Sequence, residues 1–181
     1  MNDNVGEISR LIAYAKELSF PLDIETNFLT RFKLQKLAFL LRVLNNEEID
    51  DFNIYTHGPY SPNETAGYYE YARGQIQIEK VEVNKEKLEK VREVFSVNDN
   101  LVEGATTMIS LIRSGSATWK DAYQKLKEIK PNLSLSDLVD SVNLAKRLLM
   151  TKEMEEELRE EAQKDVEKWT KISSAAEDKD E

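Results

Sequence analysis

The chain has 181 residues, of which 40% are apolar, and this is enough for a packed core and too much for general disorder. The absence of cysteine excludes disulfides and thiolate metal sites, and only 6 glycines and 4 prolines disfavour a turn-rich all-β fold. The net charge of -9 argues against nucleic-acid binding by the whole molecule. Residues 152–181 carry 12 acidic and 6 basic residues, so most of this charge is C-terminal.

The first twenty residues are amphipathic and charged, without the apolar core of a signal peptide. Nowhere does an uncharged apolar run approach the length of a membrane span. The sequence therefore predicts a cytoplasmic protein that does not contact membranes.

Apolar residues at helical spacing predict a first helix over residues 6–18, which Pro21 terminates. A second helix is predicted to begin at Thr30, as its cap, and to continue to Leu44. It is apolar around most of its circumference, with a narrow polar seam at Gln35 and Arg42. Such a helix is usually buried between neighbours, so we predict that it is the central helix of the fold.

A short strand is predicted over residues 52–55, and Gly58-Pro59 predicts a turn after it. Ser61 is predicted to cap the next helix, with Pro62 at its first position and Glu64 completing a capping box. The helix is expected to stop at Gly74.

Residues 75–83 alternate between polar and apolar, which predicts two short strands or one bulged strand. Four further helices are predicted to follow, joined by short links that favour antiparallel packing. Their predicted caps are Asn84, Asn98, Ser116, and either Ser134 or Ser136.

These elements predict an α+β fold that is predominantly α-helical, a helical bundle around a buried central helix with a small antiparallel β-sheet or hairpin. We expect one globular domain over residues 1–150. An acidic amphipathic helix is predicted over 151–170, and a disordered tail over 171–181.

Five of the 7 tyrosines lie between Tyr55 and Tyr71, which predicts an aromatic cluster beside the turn. The cluster has three interpretations: core packing, a protein-binding surface, or a surface for base stacking and phosphate contacts. The predicted partner-binding residues are Tyr55, His57, Tyr60, Tyr68, Tyr71, Lys33, Lys36 and Arg42. The predicted structural motif beside them is Gly58, Pro59, Ser61, Pro62 and Glu64.

His57 is the single histidine, which excludes a site that needs two imidazoles. A general base is conceivable there, but we expect its ring to hydrogen-bond its own turn. The acidic residues Glu47, Glu48, Asp50 and Asp51 lack the spacing of a calcium loop, so we expect solvated side chains and no metal. No phosphate loop or dinucleotide fingerprint is present, and we expect no cofactor.

The run Leu34-Gln35-Lys36-Leu37, a strand, and then His57-Gly58-Pro59-Tyr60-Ser61-Pro62 resemble the Panacea and YwgA-like group of small bacterial and archaeal domains. Residues 103–107 and 126–134 are similar to the second half of archaeal YwgA-like proteins. The resemblance covers residues 5–150. For the Panacea branch it implies antitoxins that neutralise toxins by direct protein contact.

The function hypothesis is a non-enzymatic protein-interaction module, antitoxin-like or regulatory. Its partner would be a toxin-like or regulatory protein, or a second copy bound through the C-terminal helix. One alternative is a nucleic-acid-binding regulator with a winged-helix-like half formed by residues 98–149. Another is a hydrolase centred on His57.

Overall fold

The computed structural model describes residues 3–116 and 118–151, and beyond them residues 154, 156, 159, 160, 162–164 and 166. The chain divides into two compact units, residues 1–148 and 149–181. The first unit is a predominantly helical α+β fold with one small hairpin. Its elements are α1 (Asp3–Glu17), α2 (Phe28–Leu44), β1 (Asn53–Tyr55), β2 (Gly58–Tyr60), α3 (Pro62–Ala72), α4 (Lys85–Phe95), α5 (Asp99–Arg113), α6 (Trp119–Ile129) and α7 (Leu135–Leu149).

Helix α2 is the buried helix at the centre of the fold, as predicted. Its side chains at Leu34, Leu37 and Phe39 are fully buried, and it packs against α1, α3, α4, α5 and β2. The prediction that Thr30 caps this helix is wrong. Asn27 is the cap and accepts hydrogen bonds from the amides of Leu29 and Thr30, while the Thr30 hydroxyl donates to Asp23 at 2.5 Å.

The hairpin pairs β1 and β2 in antiparallel register, with Tyr55 opposite Gly58 and Asn53 opposite Tyr60. The predicted turn at Gly58-Pro59 is therefore misplaced, because both residues belong to β2 and the chain reverses at residues 56–57. Gly58 has φ +84°, a left-handed conformation that favours glycine. Gly58-Pro59 correctly indicated that the chain reverses in this region, but the two residues belong to the strand that follows the turn.

Ser61 caps α3, as predicted, and its hydroxyl accepts the amide hydrogen of Glu64 at 3.2 Å. The reciprocal half of the predicted capping box is wrong. The amide of Ser61 donates to the side chain of Gln35 at 3.0 Å, and the buried carboxylate of Glu64 pairs with Arg42 at 2.9 Å. Long-range contacts with α2 thus replace the local bond.

Residues 75–83 form no strand, contrary to the prediction. The segment has no regular secondary structure and is anchored by side chains of α1: the amide of Glu79 donates to Ser9 Oγ at 2.8 Å, and the amide of Asn84, just after it, donates to the Tyr14 hydroxyl at 3.1 Å. Its apolar side chains are half-buried and its polar ones exposed. The alternation therefore reflects packing on a helix, which requires the same two-residue period as a half-buried strand.

Three of the remaining predicted helix starts agree with the structure. Asn84 and Asn98 cap α4 and α5, and Ser134 accepts the amide hydrogen of Asp137 at the start of α7. Ser116 was the wrong cap for α6, because the hydroxyl of Thr118 accepts the amide hydrogen of Asp121 at 3.1 Å. A winged-helix half would require strands after α7. Among the described residues, no strand follows this helix.

Helices α5 and α7 touch where Gly104 meets Ser141. A Cβ atom built on Gly104 would lie 2.2 Å from Ser141 Oγ and 2.8 Å from Ser141 Cβ. Both residues are buried, and the Ser141 hydroxyl has no hydrogen-bond partner among the described residues. The absence of a side chain at Gly104 is what allows this approach.

The second unit is described at isolated positions from residue 154 to residue 166, and these are helical. Met154 and Val166, from the predicted apolar stripe, are exposed. The predicted tail over 171–181 lies outside the described residues. No described helix combines the length and the apolar character needed to span a bilayer.

Candidate binding pocket

A pocket of about 410 Å³ lies between the first half of α2, the hairpin and α3. Six of its 13 described lining residues are phenylalanine or tyrosine. The rings that line it belong to Phe28, Phe32, Tyr55, Tyr60, Tyr68 and Tyr69. Phe28 and Tyr55 are 56% and 54% exposed, whereas Tyr68 is buried. The pocket therefore has a solvent-facing aromatic rim above a packed floor.

The pocket wall also contains three basic residues, Arg31, Lys36 and His57. Among the described residues that line it, none is acidic, although the whole chain has a net charge of -9. Arg31 is held in place because its Nη1 donates to the carbonyl of Ile24 at 2.9 Å. The pocket is thus a locally basic region of an acidic protein and would attract an anion.

Lys36 is the most unusual of these basic residues because it is only 2% exposed. Its Nζ donates to the carbonyl of Pro59 at 2.8 Å and lies 5.3 Å from the centre of the Phe32 ring. Burial lowers the pKa of Lys36 to about 7, while the charge of Glu103 raises it and that of Lys130 lowers it further. Near neutral pH the amine of Lys36 can therefore be either neutral or charged.

His57 forms a chain of polar contacts with α5. Its Nδ1 lies 3.1 Å from Glu103 Oε2, and Lys130 Nζ lies 2.7 Å from Glu103 Oε1. Lys130 also donates to the carbonyl of Thr56. A carboxylate at Nδ1 favours the tautomer with its proton there and leaves Nε2 as an acceptor.

The expectation that His57 bonds its own turn is therefore wrong. Its partner, Glu103, is 46 residues away in sequence. The ring also contacts Phe28 and Phe32 edge-on, with centroid distances of 5.3 and 6.4 Å.

Gly58 keeps this region compact. A Cβ atom there would lie 2.8 Å from Thr107 Oγ1 and 3.3 Å from Lys36 Nζ. The hairpin can therefore approach α5 and the Lys36 amine only with glycine at this position.

Gln35 ties α2 to the start of α3 beneath the pocket. Its Nε2 donates to the carbonyl of Ser61 at 3.0 Å and to Thr65 Oγ1 at 2.7 Å, and its Oε1 accepts from the amide of Ser61. The hydroxyl of Ser61 donates to Asp51 at 2.6 Å. Every polar group of this network has a hydrogen-bond partner, so the floor of the pocket is ordered without a ligand.

The structure brings five of the predicted partner-binding residues together at the pocket: Tyr55, His57, Tyr60, Tyr68 and Lys36. The other three lie elsewhere. Lys33 Nζ lies over the Phe20 ring at 5.5 Å, Arg42 pairs with Glu7, Asp51 and Glu64, and Tyr71 lines a separate surface cavity beside Leu22.

Several pocket residues were not predicted. Phe28 and Arg31 lie at the start of α2. Phe28 was missed because the predicted cap, Thr30, placed it outside the helix. Glu103 and Lys130, which adjoin the pocket through His57 and Thr56 without lining it, were not predicted either, although they lie within the runs 103–107 and 126–134. Sequence alone gave no reason to place either residue beside His57.

Comparison of the chain with protein-family models, with curated proteins and with solved structures found no match. The resemblance to the Panacea and YwgA-like group stays a prediction.

Proposed function

We propose that this chain is a non-enzymatic protein-binding module and that the aromatic pocket receives part of its partner. The observation that carries the proposal is the exposed apolar rim of the pocket. Phe28 and Tyr55, which both line the pocket, are 56% and 54% exposed. Large aromatic side chains of this kind contribute a disproportionate share of binding energy at protein interfaces.

The packing beneath the rim supports the same function. Gln35 joins α2 to α3 through three hydrogen bonds, and Lys36 joins α2 to the hairpin through Pro59. A surface that is already ordered loses less conformational entropy when it binds. The pocket thus combines an apolar contact area with a rigid support.

The partner is proposed to be a toxin-like or regulatory protein, on the strength of the resemblance to the Panacea and YwgA-like group. A second copy bound through the C-terminal segment is the alternative partner, which the exposure of Met154 and Val166 favours. A chain truncated after Thr151 separates the two. A toxin-like partner held by the pocket should still bind the truncated chain, whereas self-association through the segment should be lost.

Truncation of the rim residues should weaken binding. We expect Tyr55→Ala and Phe28→Ala each to weaken binding of the partner by about tenfold or more, because each removes a large aromatic contact. The partner is first recovered with the tagged chain from its native cell and purified. Its dissociation constant is then measured by calorimetry with each variant.

The matched control is Val139→Ala on α7, which truncates an apolar side chain that is 46% exposed outside the pocket lining. Its dissociation constant should equal that of the unaltered chain. Equal binding by all four proteins, or recovery of no stoichiometric partner, would rule out the pocket as a protein-binding surface.

Hydrolysis is a second candidate function, favoured by the 3.1 Å contact between His57 Nδ1 and Glu103. A histidine oriented by a carboxylate is a common general base. We expect any esterase activity of the purified chain on p-nitrophenyl esters to fall by about a hundredfold in His57→Ala, and to a similar extent in Glu103→Gln. Activity that survives His57→Ala would remove this candidate.

A further inference from the structure

We propose that the pocket also binds a small aromatic carboxylate, with the ligand's carboxylate held by the ammonium group of Lys36 and its ring against the aromatic wall. This inference does not depend on a protein partner. It rests on the position of Lys36 in the wall of a pocket that is lined by aromatic rings and by no acidic residue among those described.

The hydrogen bonding of Lys36 is incomplete. An ammonium group has three hydrogens to donate. Among the described residues, the carbonyl of Pro59 is the one hydrogen-bond acceptor of Lys36 Nζ. A buried charge is costly unless an opposite charge accompanies it, so a carboxylate in the pocket would supply what the amine lacks.

The nearby acid of the protein does not fill this role. Glu103 uses one carboxylate oxygen to pair with Lys130 at 2.7 Å and the other to contact His57 at 3.1 Å. These two contacts occupy both carboxylate oxygens of Glu103. Its negative charge raises the pKa of Lys36, but the two side chains form no direct ion pair among the described residues. The amine is therefore left for a ligand.

The size and the lining of the pocket fit an aromatic ligand. The volume of about 410 Å³ falls within the range of small-molecule pockets. Phe32 lies 5.3 Å from the amine, and Tyr55 and Tyr60 stand edge to face at 5.4 Å. A phenyl ring one or two carbons from its carboxylate can contact these rings while the carboxylate reaches Lys36.

The donors that remain in the wall limit the charge of the ligand. The ammonium group of Lys36 can neutralise the single negative charge of a carboxylate. A phosphate dianion would need further donors, whereas Arg31 Nη1 already donates to the carbonyl of Ile24, His57 Nδ1 contacts Glu103, and Gln35 occupies the amide of Ser61 at the start of α3. The chemistry therefore favours a monoanion.

The charged groups around Lys36 set how binding depends on pH. Glu103 on α5, Lys130 after α6, His57 in the hairpin turn and Arg31 on α2 itself all face this region. The pKa of Lys36 is lowered by burial to about 7, so above neutral pH the amine must take up a proton from solution when the carboxylate binds. We expect affinity to fall about tenfold for each pH unit above that pKa.

The test is calorimetric titration of the full chain with phenylacetate and with its neutral analogue phenylacetamide. We expect phenylacetate to bind at least about tenfold more tightly, and Lys36→Met to abolish the difference. Lys33→Met, on the same helix but outside the pocket lining, should behave as the unaltered chain. Equal binding of acid and amide, or no binding of either, would overturn the proposal.

A second measurement covers the case in which Lys36→Met perturbs the fold. Titration of the unaltered chain in two buffers of different ionisation enthalpy should show proton uptake with phenylacetate above neutral pH. Measuring the uptake at about pH 8.5, above the range in which a histidine changes charge, assigns it to a lysine. Absence of proton uptake at that pH would exclude Lys36 as the carboxylate's partner.

A partner chain could offer the same chemistry through a C-terminal carboxylate. A short peptide that ends in phenylalanine is therefore titrated beside its C-terminal amide. Binding of the free-acid peptide no tighter than that of phenylacetate supports the small ligand. Tighter binding of the peptide by about tenfold or more would overturn it and would assign the pocket to the protein partner.

Discussion

Replacing Gly104 by alanine should lower the free energy of unfolding by about 2 kcal/mol. The new Cβ would lie 2.2 Å from Ser141 Oγ and 2.8 Å from Ser141 Cβ, so α5 and α7 must move apart. Overpacking of this kind costs about 3 kcal/mol, and the better helix propensity of alanine returns about 1 kcal/mol. Chemical denaturation followed by circular dichroism measures the change.

Gly6→Ala is the matched control, because Gly6 also lies within a helix and nothing lies within 4 Å of its built Cβ. It should stabilise the chain by up to about 1 kcal/mol. Ser141→Gly removes both clashing atoms, so in that background Gly104→Ala should cease to destabilise. A loss that persists with Ser141→Gly would show that this contact is not the cause.

Stability should rise with pH between about 7 and 9, and Lys36→Met should lose this rise. The pKa of Lys36 falls from 10.5 to about 7 on folding because the amine is buried. Between these values the unfolded chain binds the proton and the folded chain does not. Raising the pH therefore favours folding by about 1.4 kcal/mol per unit, or about 3 kcal/mol over this interval.

Below pH 7 the folded state of the unaltered chain carries the full free-energy cost of charging the buried amine. The free energies of unfolding of the unaltered chain and of Lys36→Met should therefore differ most in acid and converge in base. The measurement is the free energy of unfolding of both proteins at several pH values. Lys33→Met, which alters a half-buried lysine of the same helix, should follow the unaltered chain. A Lys36→Met protein with the same pH dependence as the unaltered chain would show that Lys36 does not titrate in this range.

Local patterns predicted much of the fold. The apolar circumference of residues 32–44 identified the central helix, and Asn84, Asn98 and Ser61 marked helix starts. These signals work because a cap and an amphipathic face are set by residues a few positions apart. They failed at residues 75–83, where packing on α1 imitated the period of a strand.

The site was predictable only in part. The tyrosine cluster and the residues around Gly58 indicated a surface near the hairpin, and five of the eight residues predicted there line one pocket. Arg42 was assigned to the surface because of its place in the sequence. Its position is decided by the carboxylates of Glu7, Asp51 and Glu64, which only the folded chain brings to it.

The sequence by itself determined the helical class, the buried central helix and the aromatic character of the region after it, because each depends on the periodicity or composition of a continuous segment. The tertiary structure alone decided that Glu103 meets both His57 and Lys130, and that Lys36 is buried beside an aromatic pocket. Contacts across 46 residues, as between His57 and Glu103, depend on how helices pack, and the burial that shifts the pKa of Lys36 exists only once α2, α5 and the hairpin have closed around it.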